Sequence, residues 1–112
     1  MASGNRMFEL LEMRPYAAGT YYSNPEFNAL LGQAERLVLH SIVTAIGTGI
    51  AVDIEDSADN ENFATVTSSA ISSTAVETKR YATSTTHARY VRLKVVVTGT
   101  VTFSVRATPK SA

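Results

Sequence analysis

Between Asp53 and Asn62 the chain reads D-I-E-D-S-A-D-N-E-N, a run of carboxylates and amides. Oxygen donors at this density suit a hard cation, so Asp53, Glu55, Asp56 and Asp59 are the candidate ligands for Ca²⁺. The run departs from the EF-hand pattern, having no Gly at the sharp turn and no Glu at the closing position. The competing expectation is a solvated strand end whose Asp and Asn side chains serve the backbone.

Other chemistry is thinly represented. His40 and His87 are the only histidines and cysteine is absent, so a nitrogen or sulfur metal site would need both rings to converge on acids. Their spacing predicts instead a packed strand for His40 and a turn for His87. No G-x-S-x-G elbow, phosphate-cradling Gly loop or dinucleotide fingerprint occurs. The expectation is therefore a protein that is not an enzyme, with no catalytic residue and no cofactor. Tyrosines offer a different function, stacking on sugar rings, with Tyr81 and Tyr90 near the last turns as the candidate platform. Tryptophan, the largest stacking face, is missing.

The elements that would carry these residues read as strands. In Ala88–Ala107, Val91, Leu93, Val95 and Val97 alternate with Arg92, Lys94 and Val96. Beyond Thr98-Gly99-Thr100, Val101, Phe103, Val105 and Ala107 alternate with Thr102, Ser104 and Arg106. A period of two, β-branched residues and a Gly link predict a hairpin. Arg36–Ile46 is apolar on both alternating sets, which predicts a central strand covered on both faces. Gly47-Thr48-Gly49 joins it to a half-exposed strand over Ile50–Glu55, a second expected hairpin. Phe63–Thr67 and Val76–Thr83 read as short strands, Ser68–Thr74 as weakly structured, and Ser84–His87 as a turn. Strands at this spacing without an internal repeat predict an all-β antiparallel β-sandwich, jelly-roll-like in form.

The first 33 residues differ in composition. They hold Phe8, Tyr16, Tyr21, Tyr22 and Phe27, two of the three prolines and all three methionines. Asn24 as N-cap, Pro25 at the first helical position, Glu26 and a terminating Gly32 mark a short helical turn. Residues 1–33 are either the first strand and a connection or an arm with those five aromatic side chains as anchors, and 34–112 are the sandwich of a single domain. No apolar run is long enough to span a bilayer, and Met1–Arg6 is not followed by a leader's apolar stretch, so synthesis in a host cytoplasm without a membrane partner is expected.

Ten basic and ten acidic residues cancel, which argues against a general nucleic-acid binder. The charges are nevertheless in blocks, acidic over Asp53–Glu77 and basic from Lys79 onward. Either the blocks offset each other across paired strands, or they form two poles suited to contact between copies, with Arg89, Arg92 and Lys94 as a basic contact face.

Two resemblances follow from these segments. Ala88-Arg89-Tyr90-Val91-Arg92-Leu93 resembles a strand of discoidin-type, galactose-binding-like sandwiches. The chain lacks that family's cysteines and length, so the family's loop site does not carry over. The acidic loop and strand Asp56–Val66, the Ser/Thr-rich middle and the closing A-R-Y-V-R-L-K-V-V-V-T-G-T-V-T-F-S-V are similar, in style and order, to small β-sandwich structural proteins of tailed bacteriophages. That resemblance implies a non-enzymatic virion protein, foremost a head decoration or cement protein. It implies as partners the major capsid protein or other virion subunits and further copies of itself, a trimer foremost. The alternatives are a tail or connector subunit and a carbohydrate-binding adhesin module.

Overall fold

A computed structural model of the protein describes residues 7–83 and 87–110; the leader-free reading of Met1–Arg6 and most of the turn assigned to Ser84–His87 lie outside them. There are eight strands: β1 (Phe8–Tyr16), β2 (Gly19–Tyr22), β3 (Arg36–Ala45), β4 (Gly49–Ser57), β5 (Ala64–Ser73), β6 (Thr78–Ala82), β7 (Tyr90–Thr98) and β8 (Val101–Lys110). A 3₁₀ turn (Pro25–Phe27) runs into a short helix, α1 (Asn28–Gln33), between β2 and β3.

The strands form two four-stranded sheets, ordered β1-β8-β3-β6 and β2-β7-β4-β5. Every pairing is antiparallel. The pairs β1·β8, β2·β7, β3·β6 and β4·β5 are those of one long ribbon folded back at the β4–β5 link. The further pairs β3·β8 and β4·β7 roll that ribbon into a closed sandwich, the jelly roll.

Alternation decides which faces meet. Val91, Leu93, Val95 and Val97 of β7 and Val101, Phe103, Val105 and Ala107 of β8 are buried, as are Leu37, Leu39 and Val43 of β3 and Ile50, Val52 and Ile54 of β4. Each of these side chains larger than alanine contributes on the order of 1.5–3 kcal/mol on burial.

Both expected hairpins are corners instead. β3 and β4 lie in opposite sheets, and so do β7 and β8, so each Gly-containing link carries the chain across the core. Strict alternation cannot separate the two outcomes, because a hairpin and a corner both bury one face of each strand. Because β3 pairs with β8 and β4 with β7, the two corners lie against each other. Thr48 N–H donates to the Thr98 carbonyl at 3.1 Å. A Cβ on Gly47 would come within 2.7 Å of the Thr100 nitrogen, and one on Gly99, at φ +72°, within 2.9 Å of the Thr48 nitrogen.

Two further expectations change. β3 is covered on one face only, with Val38, His40 and Ile42 half-buried on the outside. Ser68–Thr74, read as weakly structured, falls mostly within β5. Its low strand propensity is offset by pairing with β4, and a bulge at Ser69 (φ +51°) is held by Asp53, whose carboxylate accepts the Ser69 N–H at 2.7 Å.

The described part of the N-terminal segment belongs to the sandwich. β1 and β2 are edge strands of the two sheets, and Leu10, Leu11 and Tyr16 join the core. Asn24 caps the 3₁₀ turn as expected, its Oδ1 accepting the Glu26 N–H at 3.0 Å. Gly32, read as the helix terminator, lies inside α1. Its missing side chain is what lets α1 rest on the start of β7, since a Cβ there would fall 1.7 Å from the Arg89 carbonyl oxygen. Replacing Gly32 by Ala must lift the helix and expose Leu31, which is fully buried. A loss of about 2 kcal/mol or more is expected for Gly32→Ala in urea unfolding.

Candidate interaction surface

The acidic run does not converge. Each of its candidate ligands is turned toward a different partner by the strand or loop that carries it. Asp53 holds the β5 bulge, and Glu55 Oε1 accepts from Arg92 Nε at 2.7 Å. Asp56 accepts the Ala88 N–H at 2.7 Å, fastening the segment before β7. Asp59 caps its own turn, accepting the N–H groups of Glu61 and Asn62 (3.0 and 2.8 Å), the Asn62 amide (2.7 Å) and the Ser57 hydroxyl (2.8 Å). The Asn62 and Glu61 N–H groups, aided by these side chains, hold its carboxyl far below the ordinary carboxylate range. Among the described residues no three His, Asp or Glu side chains gather as a cation would need. Asp53, Asp56 and Asp59 thus accept from backbone N–H groups, and Glu55 is paired with Arg92.

The charge blocks offset each other in the same way. In the β4·β7 ladder Glu55 stands opposite Arg92 and Asp53 opposite Lys94. Arg92 is also clamped between two rings, its guanidinium carbon 4.1 Å from the Tyr22 centroid and 4.0 Å from that of Phe63. Tyr22 comes from edge strand β2 and Phe63 from just before β5, so four separated segments build one stack on the outer face of the second sheet. Arg92 is therefore engaged within the fold, while Lys94 stands opposite Asp53 in the ladder. Arg89 stands apart, its guanidinium 5.7 Å from the Tyr90 ring.

A groove of about 460 Å³ opens on the side of the sandwich where edge strands β1 and β2 meet. Tyr21, Tyr22 and Phe27 are its more open aromatic side chains, Leu10, Leu11 and Tyr16 lie behind them in the core, and Glu9, Glu12, Arg14 and Asn24 make the accessible lining largely polar. The walls are stiff. Tyr16 and Tyr21 meet edge to face at 4.9 Å, and their hydroxyls donate to the Glu12 and Ala17 carbonyls, both at 2.8 Å. Phe8 packs on Phe27 at 5.6 Å between ring centroids.

The five aromatic residues of the first segment are thus brought together, though not on an arm. Tyr16 is only 3% exposed and belongs to the core, so it cannot serve as an anchor. Tyr22, at 47%, is the most open of them and joins the groove to the Arg92 stack. The sugar-platform pair is split, because Tyr81 packs toward the core from β6 and Tyr90 begins β7 in the other sheet. His40 lies on the outer face of the first sheet, opposite Arg106 on one side and Arg80 on the other. His87 Nδ1 is 3.2 Å from the Ala88 carbonyl. Sequence reasoning missed Phe63, Glu9 and Glu12. Only the strand order, which brings β1 beside β2 and the Phe63 loop beside Arg92, reveals them.

Fold and surface together define an eight-stranded jelly-roll module with a groove along one side. No protein-family model matches the chain, and no curated protein matches it by sequence. Solved structures do match in fold. The PBSX exported protein XepA superposes with a TM-score of 0.72 at 15% identity over 98% of this chain, which spans 38% of XepA's length. A chain from the disulfide-linked pili of Bacillus endospore appendages gives 0.57 at 10% identity, covering 96% of this chain and 88% of that one. The Yersinia pseudotuberculosis-derived mitogen gives 0.57 at 10% identity, covering 96% and 89%. At these identities the likeness is one of fold.

Two expectations can be measured. Arg92→Ala removes both ring contacts and leaves Glu55, with a side chain only 10% exposed, without its cation. A loss of about 2 kcal/mol is expected, of which Glu55→Gln in the same chain recovers part; a double-mutant cycle in urea measures both. Asp59 has a depressed folded pKa, so its contribution is present above about pH 4 and fades as pH falls toward that folded value. Asp59→Ala should destabilise at pH 7, with the difference from the parent shrinking as pH is lowered through 4.

Proposed function

We propose that the protein is a non-enzymatic structural subunit of a virion, a capsid decoration or cement protein that binds the assembled shell and neighbouring copies of itself. The observation that carries this reading is the contrast between its polar and its aromatic surfaces. The carboxylates that might do chemistry are spent on turns, bulges and strand pairing. The β1–β2 side, in contrast, offers a groove in which Tyr21, Tyr22 and Phe27 stand among Glu9, Glu12 and Arg14.

The likeness in fold to XepA and to the endospore-appendage chain supports a structural over a catalytic reading, and XepA lends support to the phage side of it. The pilus chains are disulfide-linked, whereas this sequence has no cysteine, so disulfides of this chain would not hold such an assembly together. Mechanistically, a subunit that binds only the finished shell stabilises that shell by mass action. A closed homo-oligomer, with a trimer as the expected form, multiplies the contacts each copy makes. Localisation is then the virion, after synthesis in the host cytoplasm. Among the described residues no helix is long and apolar enough to cross a membrane.

The test is the composition of particles banded in a density gradient from a lysate of the phage carrying the gene. The protein is expected in the particle band at many copies per shell by quantitative mass spectrometry. Recovery only from the soluble fraction, with banded particles free of it, overturns the reading. Glycan binding by the purified chain, abolished by Tyr22→Ala, would point to the adhesin alternative.

A further inference from the structure

The two sheets treat charge in opposite ways on their outer faces. On the second, the β4·β7 ladder sets Glu55 beside Arg92 and Asp53 beside Lys94. On the first, the ladders set base beside base. His40 of β3 stands between Arg80 of β6 and Arg106 of β8, and Arg36 of β3 stands opposite Lys110 of β8. Glu9, across from Arg106 on β1, is the one acid in these two rows, its carboxylate 3.6 Å from Arg106 Nη2. Arg36 and Arg80 are exposed and have no ion pair among the described residues. Like charges set opposite each other on paired strands are destabilising, so this arrangement costs the isolated protein stability. Apolar side chains share the face. Val38 and Ile42 flank His40 along β3, both half-buried, and Met13, 37% exposed, reaches over from β1 to Thr44, whose hydroxyl lies 3.8 Å from its sulfur.

We infer that the outer face of the first sheet docks on an acidic protein surface, partner carboxylates meeting Arg36, Arg80 and Arg106 while Val38, Ile42 and Met13 are covered. The inference rests on the structural-subunit reading, in which that surface belongs to the shell. An acidic partner turns the repulsion within the rows into attraction across an interface. The arginine fork takes a carboxylate in two parallel hydrogen bonds, and arginine and methionine are residues that protein interfaces favour. Nucleic acid fits less well. Acids and bases cancel over the chain, Glu9 lies in the row that a phosphate backbone would follow, and none of the residues named on this face is aromatic, so bases have no ring to stack on. A second copy is also the poorer partner, because Asp53, Glu55 and Asp56 of its acidic run are engaged within the fold.

The test uses the purified chain with a short polyglutamate peptide as the acidic probe, so it can fail while the protein is still found in particles, and the reverse. Arg36→Thr with Arg80→Thr removes two cations from the face. Arg89→Thr with Lys94→Thr removes two from the second sheet, and threonine suits a strand in either place. By fluorescence anisotropy at low salt, the first pair is expected to weaken binding roughly tenfold or more and the second less than about threefold. The first pair should also unfold at a urea midpoint equal to or above the parent's, because a repulsion is removed. A parent that does not bind the peptide, equal losses in the two variants, or a midpoint well below the parent's in the first overturns the inference. Tighter binding of a duplex DNA of equal charge overturns it in favour of nucleic acid, and a parent oligomer that the first variant alone dissociates overturns it in favour of a second copy.

Discussion

Two chain reversals pressed together, one at Gly47–Gly49 and the other at Thr98–Thr100, set the spacing and the register of both sheets. Each carries the chain from one sheet to the other, and the Thr48–Thr98 hydrogen bond locks them at 3.1 Å. With the corners fixed, β3 must run beside β8 and β4 beside β7, and the inward rows of Val, Leu, Ile and Phe103 close the core between them. Glycine is required where the backbones approach, since a side chain at Gly47 or Gly99 would meet the opposite reversal at under 3 Å. The outer strands are consequences. β1 and β6 add to the first sheet and β2 and β5 to the second, leaving one pair of edges with a groove and the other with an exposed tip.

The same ladders explain why a charge pattern that looks polar along the chain is neutral in space. Asp53 and Glu55 on β4 stand beside Lys94 and Arg92 on β7, so the blocks cancel at the middle of the second sheet. Cation–π contact with Tyr22 and Phe63 ties this central pair to the sheet edge and to the loop before β5. Glu12 pairs with Arg14 at the β1 edge, and Arg80 is exposed on the β6 edge.

How much of this was legible in the chain can be judged from single residues. The alternation of Val91–Val97 and Val101–Ala107 gives the strands, their buried faces and the all-β class correctly. It is silent on whether Gly99 makes a hairpin or a corner, because both satisfy the same pattern, and that choice decides which strands are neighbours. Asn24 announced a helix start that the structure contains, whereas Gly32 was misplaced because its constraint is a distant one, the Arg89 carbonyl. The five N-terminal aromatics do gather around one feature, but Tyr16 turned inward, since its position on β1 faces the core. Asp59 illustrates the limit for sites. A carboxylate-rich loop reads the same whether it binds a cation or caps a turn, and only the N–H groups of Glu61 and Asn62 distinguish the two.

The proposed structural role, with further copies of the chain as partners, is the core of this account. The most direct measurement is the mass of the unmodified chain in solution, by size-exclusion chromatography with light scattering, over a range of concentrations at low and high salt. The account predicts a mass above the monomer that rises with concentration. A monomer under every condition would contradict it.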